Sequence, residues 1–147
     1  MKFPIRVYYE DTDHGGVVYY ANYLKFMERG RTEFLRHYNI ELDQVLDNYG
    51  ILFVVTEVNI RYKSSARFND ILNVKTHLAQ ASGARIAFIQ RIEKKNEDEA
   101  STLLTNATVQ LACVNKQGKP CLIPKALLSI LQQHIHNKAR EQLWQNN

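Results

Sequence analysis

One change of hydrophobic period governs what this chain can fold into. Tyr20, Tyr23, Leu24, Met27, Arg31, Phe34, Leu35 and Tyr38 recur at steps of three and four, which predicts one long helix over 20–38 with a mostly apolar face. After Gly50 the step drops to two and stays there. Leu52, Val54, Thr56, Val58, Ile60 and Tyr62 alternate with Phe53, Val55, Glu57, Asn59 and Arg61. A second run, Leu72 to Leu78, fades at Ala79-Gln80; a third spans Ala84 to Ile92, and a fourth Leu103 to Cys113. Ser82-Gly83 and the polar stretch from Lys94 to Glu99 supply the turns. Successive long strands with no helix between them form an antiparallel sheet. A chain built this way must fold its sheet over the single early helix.

The remaining elements fit around that frame. Phe3 to Glu10 reads as a first strand, and Asp11 to Val18, with its Gly15-Gly16 pair, as a turn. A short helix is expected near Glu41 to Asn48. Gln117-Gly118-Lys119-Pro120 closes the last strand, and Pro124 opens a C-terminal helix whose stripe is Leu127, Ile130, Leu131, His134 and Ile135. Gly30, in the middle of the long helix, costs about 1 kcal/mol relative to Ala and therefore marks a close approach of another segment. The fold class is α+β, with residues 1–147 forming one domain; 147 residues bury roughly 70% of the unfolded surface around one core.

Composition narrows the function. Lys and Arg number 19 against 15 Asp and Glu, a mild excess, and the longest basic run is Lys94-Lys95, so nucleic acid is not an expected partner. Cys113 and Cys121 lack the spacing of a zinc or redox site; Cys113, in an apolar run, reads as a small core residue. The N-terminus has no apolar signal-like stretch and no segment approaches the ~18 apolar residues of a membrane span. A cytoplasmic chain without membrane insertion is the expectation.

Chemistry concentrates in Glu10-Asp11-Thr12-Asp13-His14, four ionisable groups in five residues beside two glycines. One account is a solvated, helix-capping turn. A calcium loop matches at Asp11, Asp13 and Gly16 but fails at Gly15 and at Asn22, where a bidentate Glu belongs. Asp11, Asp13 and His14 lie too close within one turn to converge on a transition metal, and no metal or cofactor is expected. The third account is catalytic. The turn leads into the long helix, whose first N–H groups lack intrahelical partners and carry the positive end of the helix dipole. Such donors stabilise an oxyanion, and a carboxylate one short loop upstream can reach the same carbonyl carbon or a water beside it. Gly15 and Gly16 would leave the backbone open to substrate. Acyl transfer from a thioester suits this arrangement because a thiolate leaves without strong protonation.

The run Val7-Tyr8-Tyr9-Glu10-Asp11-Thr12-Asp13-His14-Gly15-Gly16-Val17-Val18-Tyr19-Tyr20-Ala21-Asn22-Tyr23 resembles the signature of the 4-hydroxybenzoyl-CoA thioesterase family. Within that family it is most similar to the YbgC-type acyl-CoA thioesterases encoded beside the Tol-Pal cell-envelope system. The similarity continues through Met27 to Phe34 and, more loosely, through Ile60-Arg61-Tyr62 and Ala107-Thr108-Val109. The resemblance implies a hotdog fold, a long helix wrapped by an antiparallel sheet, assembled as a tetramer of two dimers with sites at subunit interfaces. It assigns the catalytic carboxylate to Asp13, as nucleophile or general base, and the carbonyl-polarising backbone N–H to Tyr20. Many YbgC-type relatives carry His where this chain has Tyr20, so the backbone role carries over and an imidazole role does not.

Around the substrate the resemblance places Gly15, Gly16, Val17, Tyr19 and Tyr23. Lys63, Arg67 and Arg85 are basic residues able to meet the phosphates of coenzyme A. Arg29 and Glu33 are an i,i+4 pair of opposite sign on the long helix, and the set Glu28, Arg29, Arg31 and Glu33 is expected to make surface or interface ion pairs. The implied substrate is an acyl-CoA or an acyl carrier protein thioester. A non-catalytic module that binds acyl-CoA or acyl carrier protein is the alternative, and turnover separates the two.

Overall fold

A computed structural model describes residues 1–136. Five strands, β1 (Lys2–Arg6), β2 (Ile51–Tyr62), β3 (Ile71–Ser82), β4 (Arg85–Lys95) and β5 (Ser101–Asn115), form one antiparallel sheet in the order β1-β3-β4-β5-β2. The long helix α1 (Asn22–His37) crosses it and packs on β1, β3 and β4. A short helix, α2 (Leu42–Tyr49), leads into β2, with Gly50 as its left-handed cap at φ 66°. Helix α3 (Lys125–Gln133) packs on β3. The expected α+β layout of one long helix under an antiparallel sheet is the observed one.

Local differences from the sequence reading have physical causes. The first strand ends at Arg6 rather than Glu10, because Asp11 folds the following residues into a short 3₁₀ turn, Tyr9–Asp11, by accepting the Tyr8 N–H at 2.8 Å. The alternation in β3 fades at Ala79 because the register with β4 slips between Leu78 and Gln80, a bulge. The C-terminal stripe stops short: α3 ends at Gln133, His134 stacks on the Tyr38 ring at 3.6 Å, and Ile135 makes a parallel bridge with Leu78. Arg29 does not pair with Glu33. Its guanidinium lies 5.9 Å over the Phe26 ring, while Glu33 and Glu41 both bind Arg36.

Two buried clusters fill the space between helix and sheet. One gathers Tyr23, Phe26 and Met27 against Leu72, Val74 and Ile92; the other gathers Phe34 and Leu35 against Leu78, Ile86 and Phe88. Cys113 belongs to the second, its thiol pushed up to about 12 by burial and by Cys121, whose Sγ lies 3.6 Å away; both thiols are free. Between the clusters sits a polar waist. Gln90 is wholly buried, and its Nε2 donates to the Met27 carbonyl and to Thr76 Oγ1, each at 2.9 Å. Its Oε1 accepts from Arg31 Nη1 at 2.9 Å. Arg31, expected among surface or interface ion pairs, is thus turned onto the sheet, where burial lowers its pKa against the opposing effect of Glu28.

Gly30 is what lets the helix come so near. A Cβ there would lie 2.6 Å from Val74 Cγ1 and 2.9 Å from Thr76 Oγ1. Gly30→Val should therefore destabilise the fold by about 1–3 kcal/mol through overpacking, a fall in thermal midpoint of roughly 3–10 °C. A melting curve superimposable on wild type would contradict this packing.

Candidate active site

The site is assembled where the chain passes from β1 into α1. Asp11 is consumed in holding that passage together. Its carboxylate caps the 3₁₀ turn, and its carbonyl accepts both the Tyr19 N–H at 2.9 Å and Asn22 Nδ2 at 2.8 Å. Residues 12–18 then form a small closed loop: Thr12 bridges Val18, Asp13 N–H donates to the Val17 carbonyl at 2.9 Å, and Gly16 N–H donates back to the Asp13 carbonyl at 3.0 Å. Gly16 adopts φ +76°, which a residue with a Cβ reaches only with strain. The loop is fastened to the segment after β2 by Val18 N–H on the Ala66 carbonyl at 2.9 Å, and by Ala66 N–H on the Tyr23 hydroxyl at 3.0 Å.

Asp13 is differently placed from Asp11. Its Oδ1 accepts one backbone bond, from Gly15 N–H at 2.9 Å, and its side chain faces a cavity of about 270 Å³. A Cβ on Gly15 would sit 3.2 Å from that same oxygen, so the glycine keeps the carboxylate uncrowded. The cavity is lined by Asp13, Val17, Val18, Tyr20, Tyr23, Tyr62, Lys63, Ser64 and Ser65. Helix α1 starts just beyond Tyr20 with no side-chain cap and no acidic residue in its first turn. Asn22 N–H is taken by the Tyr19 carbonyl, while the N–H groups of Tyr20 and Ala21 meet no acceptor among the described residues. A carboxylate and a residue with an unsatisfied N–H at the positive end of a helix, Asp13 and Tyr20, thus line one cavity, the arrangement acyl transfer requires.

The structure brings together most of the residues singled out from the sequence. Asp13, Val17, Tyr20, Tyr23 and Lys63 line the cavity, and Gly15 and Gly16 form the turn beside it. Tyr23 is buried and its hydroxyl is occupied by Ala66, so it contributes wall rather than a free polar group. Its phenol is pushed up by burial, against the Ala66 N–H. Tyr19 packs edge-on to Tyr20 at 4.9 Å, and the Tyr20 hydroxyl raises its pKa. Arg67 reaches over Gly16, where a Cβ would lie 3.7 Å from its Nη1.

Arg85 stands apart within this chain. It opposes Ala112 on β5, whereas Tyr62 at the cavity opposes Thr105, seven residues or about 23 Å along the same strand. Tyr62, Ser64 and Ser65 are cavity residues that the sequence reading passed over. Two signals bear on Tyr62, the loose family similarity through Ile60-Arg61-Tyr62 and the end of alternation, where a strand hands the chain to a loop; Ser64 and Ser65 have only the second. Among the described residues no group of three or more His, Cys, Asp or Glu side chains is arranged to hold a metal ion, and no helix is long and apolar enough to cross a membrane.

Comparison with known proteins bears on the family and the fold. A curated relative from Haemophilus influenzae, an acyl-CoA thioesterase YbgC, is 44% identical over 125 residues, covering 84% of this chain and 88% of the relative. The crystal structure of a probable thioesterase from Bartonella henselae is 35% identical with a TM-score of 0.77, covering 84% of this chain and 98% of that one. The fold alone is shared with 4-hydroxybenzoyl-CoA thioesterase from Pseudomonas sp. strain CBS-3, at 15% identity and a TM-score of 0.82 over 88% of this chain and 97% of that one. Residues 7–131 match the thioesterase-like superfamily, with the sheet and central helix of the hotdog fold around the Asp13 cavity; to that superfamily the chain belongs.

Proposed function

We propose that this protein hydrolyses acyl-CoA thioesters, with Asp13 as the catalytic carboxylate and the backbone N–H of Tyr20 as the donor to the thioester oxygen. The observation that carries the reading is the shared cavity, with Asp13 facing a helix start whose Tyr20 N–H is unsatisfied. A thioester carbonyl seated on that N–H gains positive polarisation at its carbon, and the donor strengthens as the oxygen becomes an alkoxide. Asp13 either attacks that carbon, forming an acyl-enzyme anhydride that water opens, or draws a proton from water as it adds. Both routes expel the coenzyme A thiolate and leave a carboxylic acid. Lys63 on the cavity wall and Arg67 over Gly16 are positioned to meet coenzyme A phosphates as the rest of the substrate leaves the cavity. An acyl carrier protein thioester presents the same reacting group and is the other substrate of this class.

The site is also a reason for the chain to assemble with itself. β2 is an edge strand of 12 residues, and Leu52, Val54, Val55, Val58 and Tyr62 along it stay exposed. Long apolar edges invite pairing with another strand. A second copy paired along β2 covers this edge and brings a neighbouring chain beside the Tyr62 end of the cavity; two such dimers make the tetramer that the family resemblance implies. The setting proposed is the cytoplasm, in association with the Tol-Pal envelope system.

Thiol release measured across acyl-CoAs from short aliphatic to long-chain and aromatic tests the activity. Asp13→Asn should fold normally and lose about 10²–10⁴-fold in rate. Tyr20→Phe should stay within about threefold of wild type, because the donor assigned to Tyr20 is backbone rather than hydroxyl. An Asn variant with near-full activity would remove Asp13 from its role, and an inactive wild type that still gains thermal stability from acyl-CoA would make the protein a binding module. Light scattering should return a particle several times the 17.1 kDa chain mass, and a 17.1 kDa particle at working concentration would contradict the assembly.

A further inference from the structure

The carbonyl of Tyr20 has an unusual partner for a group at the head of a helix. In a regular continuation of α1 it would accept the N–H of Leu24, but Leu24 N–H goes to the Ala21 carbonyl at 3.2 Å. The Tyr20 oxygen instead accepts the phenolic O–H of Tyr62 at 3.1 Å. Tyr62 is the last residue of β2, 42 positions away in sequence. Its ring is wedged edge-on against Tyr20 at 6.1 Å and against Tyr23 at 5.7 Å, and Tyr23 is itself pinned by the Ala66 N–H.

We infer that Tyr62 is a positioning residue for the oxyanion donor, the Tyr20 N–H, acting through the carbonyl of Tyr20. This rests on the hydrolase reading of the cavity proposed above. The Tyr20 carbonyl and the Ala21 N–H are the two ends of one peptide group. A hydrogen bond received at the oxygen fixes the plane of that peptide group at the head of the helix. Anchoring the same carbonyl also restrains rotation about the Tyr20 backbone, and with it the direction of the Tyr20 N–H. Tyr20 and Tyr62 line the same cavity and the Tyr20 N–H lacks an acceptor among the described residues, so what Tyr62 orients is a donor at the cavity it lines. Desolvation raises the Tyr62 phenol, and the charges of Tyr20 and Tyr23 would raise it further, so it stays a donor at neutral pH. A preorganised donor loses rate faster than affinity when its support is removed, because the oxyanion exists only in the transition state.

The test is steady-state thiol release by wild type, Asp13→Asn, Tyr62→Phe and Tyr62→Leu on one well-turned-over acyl-CoA, with thermal melts of each. Tyr62→Phe keeps the ring contacts and deletes one O–H. Its kcat should fall about tenfold with KM within about twofold and the melting temperature held. Tyr62→Leu should lose at least as much in kcat and also melt earlier. The inference is overturned if Tyr62→Phe keeps the wild-type kcat while Asp13→Asn is inactive, or if its only change is a raised KM, since the phenol would then touch substrate or nothing that matters to the reaction. A wild type that releases no thiol at all overturns the hydrolase reading and this inference together.

Discussion

Gln90 has no exposed surface, and its carboxamide is satisfied only if α1 passes directly over it. One Nε2 hydrogen reaches the Met27 carbonyl on the helix, the other reaches Thr76 on the neighbouring strand, and the oxygen is filled by Arg31. A buried amide left without these partners costs about 1–3 kcal/mol, so the helix is held in both height and rotation at this point. Gly30 removes the one Cβ that would forbid the approach. The apolar clusters on either side could tolerate a small slide of the helix; the polar waist between them does not.

Fixing the middle of α1 fixes its beginning. Residue 22 lies about 12 Å along the axis from residue 30, and the loop that precedes it is closed by short bonds that leave it little freedom. Two aspartates, two positions apart, divide the work. Asp11 spends its carboxylate and its carbonyl on the turn and on the head of the helix, while Asp13 keeps an oxygen facing the cavity. A chain with both carboxylates spent on structure would have a helix start and no reacting group; with neither, the cavity would not hold its shape. Thioester hydrolysis needs both parts, since the carbonyl must be polarised where the carboxylate can reach it.

The long helix and four of the five strands were legible because their periods hold over seven or more residues. Where the structure departs from the local hydrophobic pattern, a side-chain hydrogen bond has overruled it, in one case within a turn and in another from far along the chain. The first strand stopped early because Asp11 turned back onto Tyr8, which no propensity of Val7-Tyr8-Tyr9 betrays. Arg31 looked like surface because charged residues on a helix normally are, yet its partner, Gln90, lies 59 positions away. That Asp13, Tyr20 and the two glycines lie together at one turn was legible, since a turn before a helix is a local object. Tyr62 was only faintly marked: alternation and a loose family similarity place it at a strand end, and it reaches the cavity because the end of the edge strand meets the head of the helix. Arg85 shows the converse, a basic residue beside a turn that the register carries to the far end of the sheet.

The most direct test of the account is a crystal structure of the Asp13→Asn variant soaked with an intact acyl-CoA. The account predicts the thioester oxygen 2.7–3.2 Å from the Tyr20 nitrogen, with the carboxamide at position 13 beside the carbonyl carbon. An acyl-CoA bound with its thioester away from the start of α1, or with its oxygen held by side chains elsewhere, would contradict it.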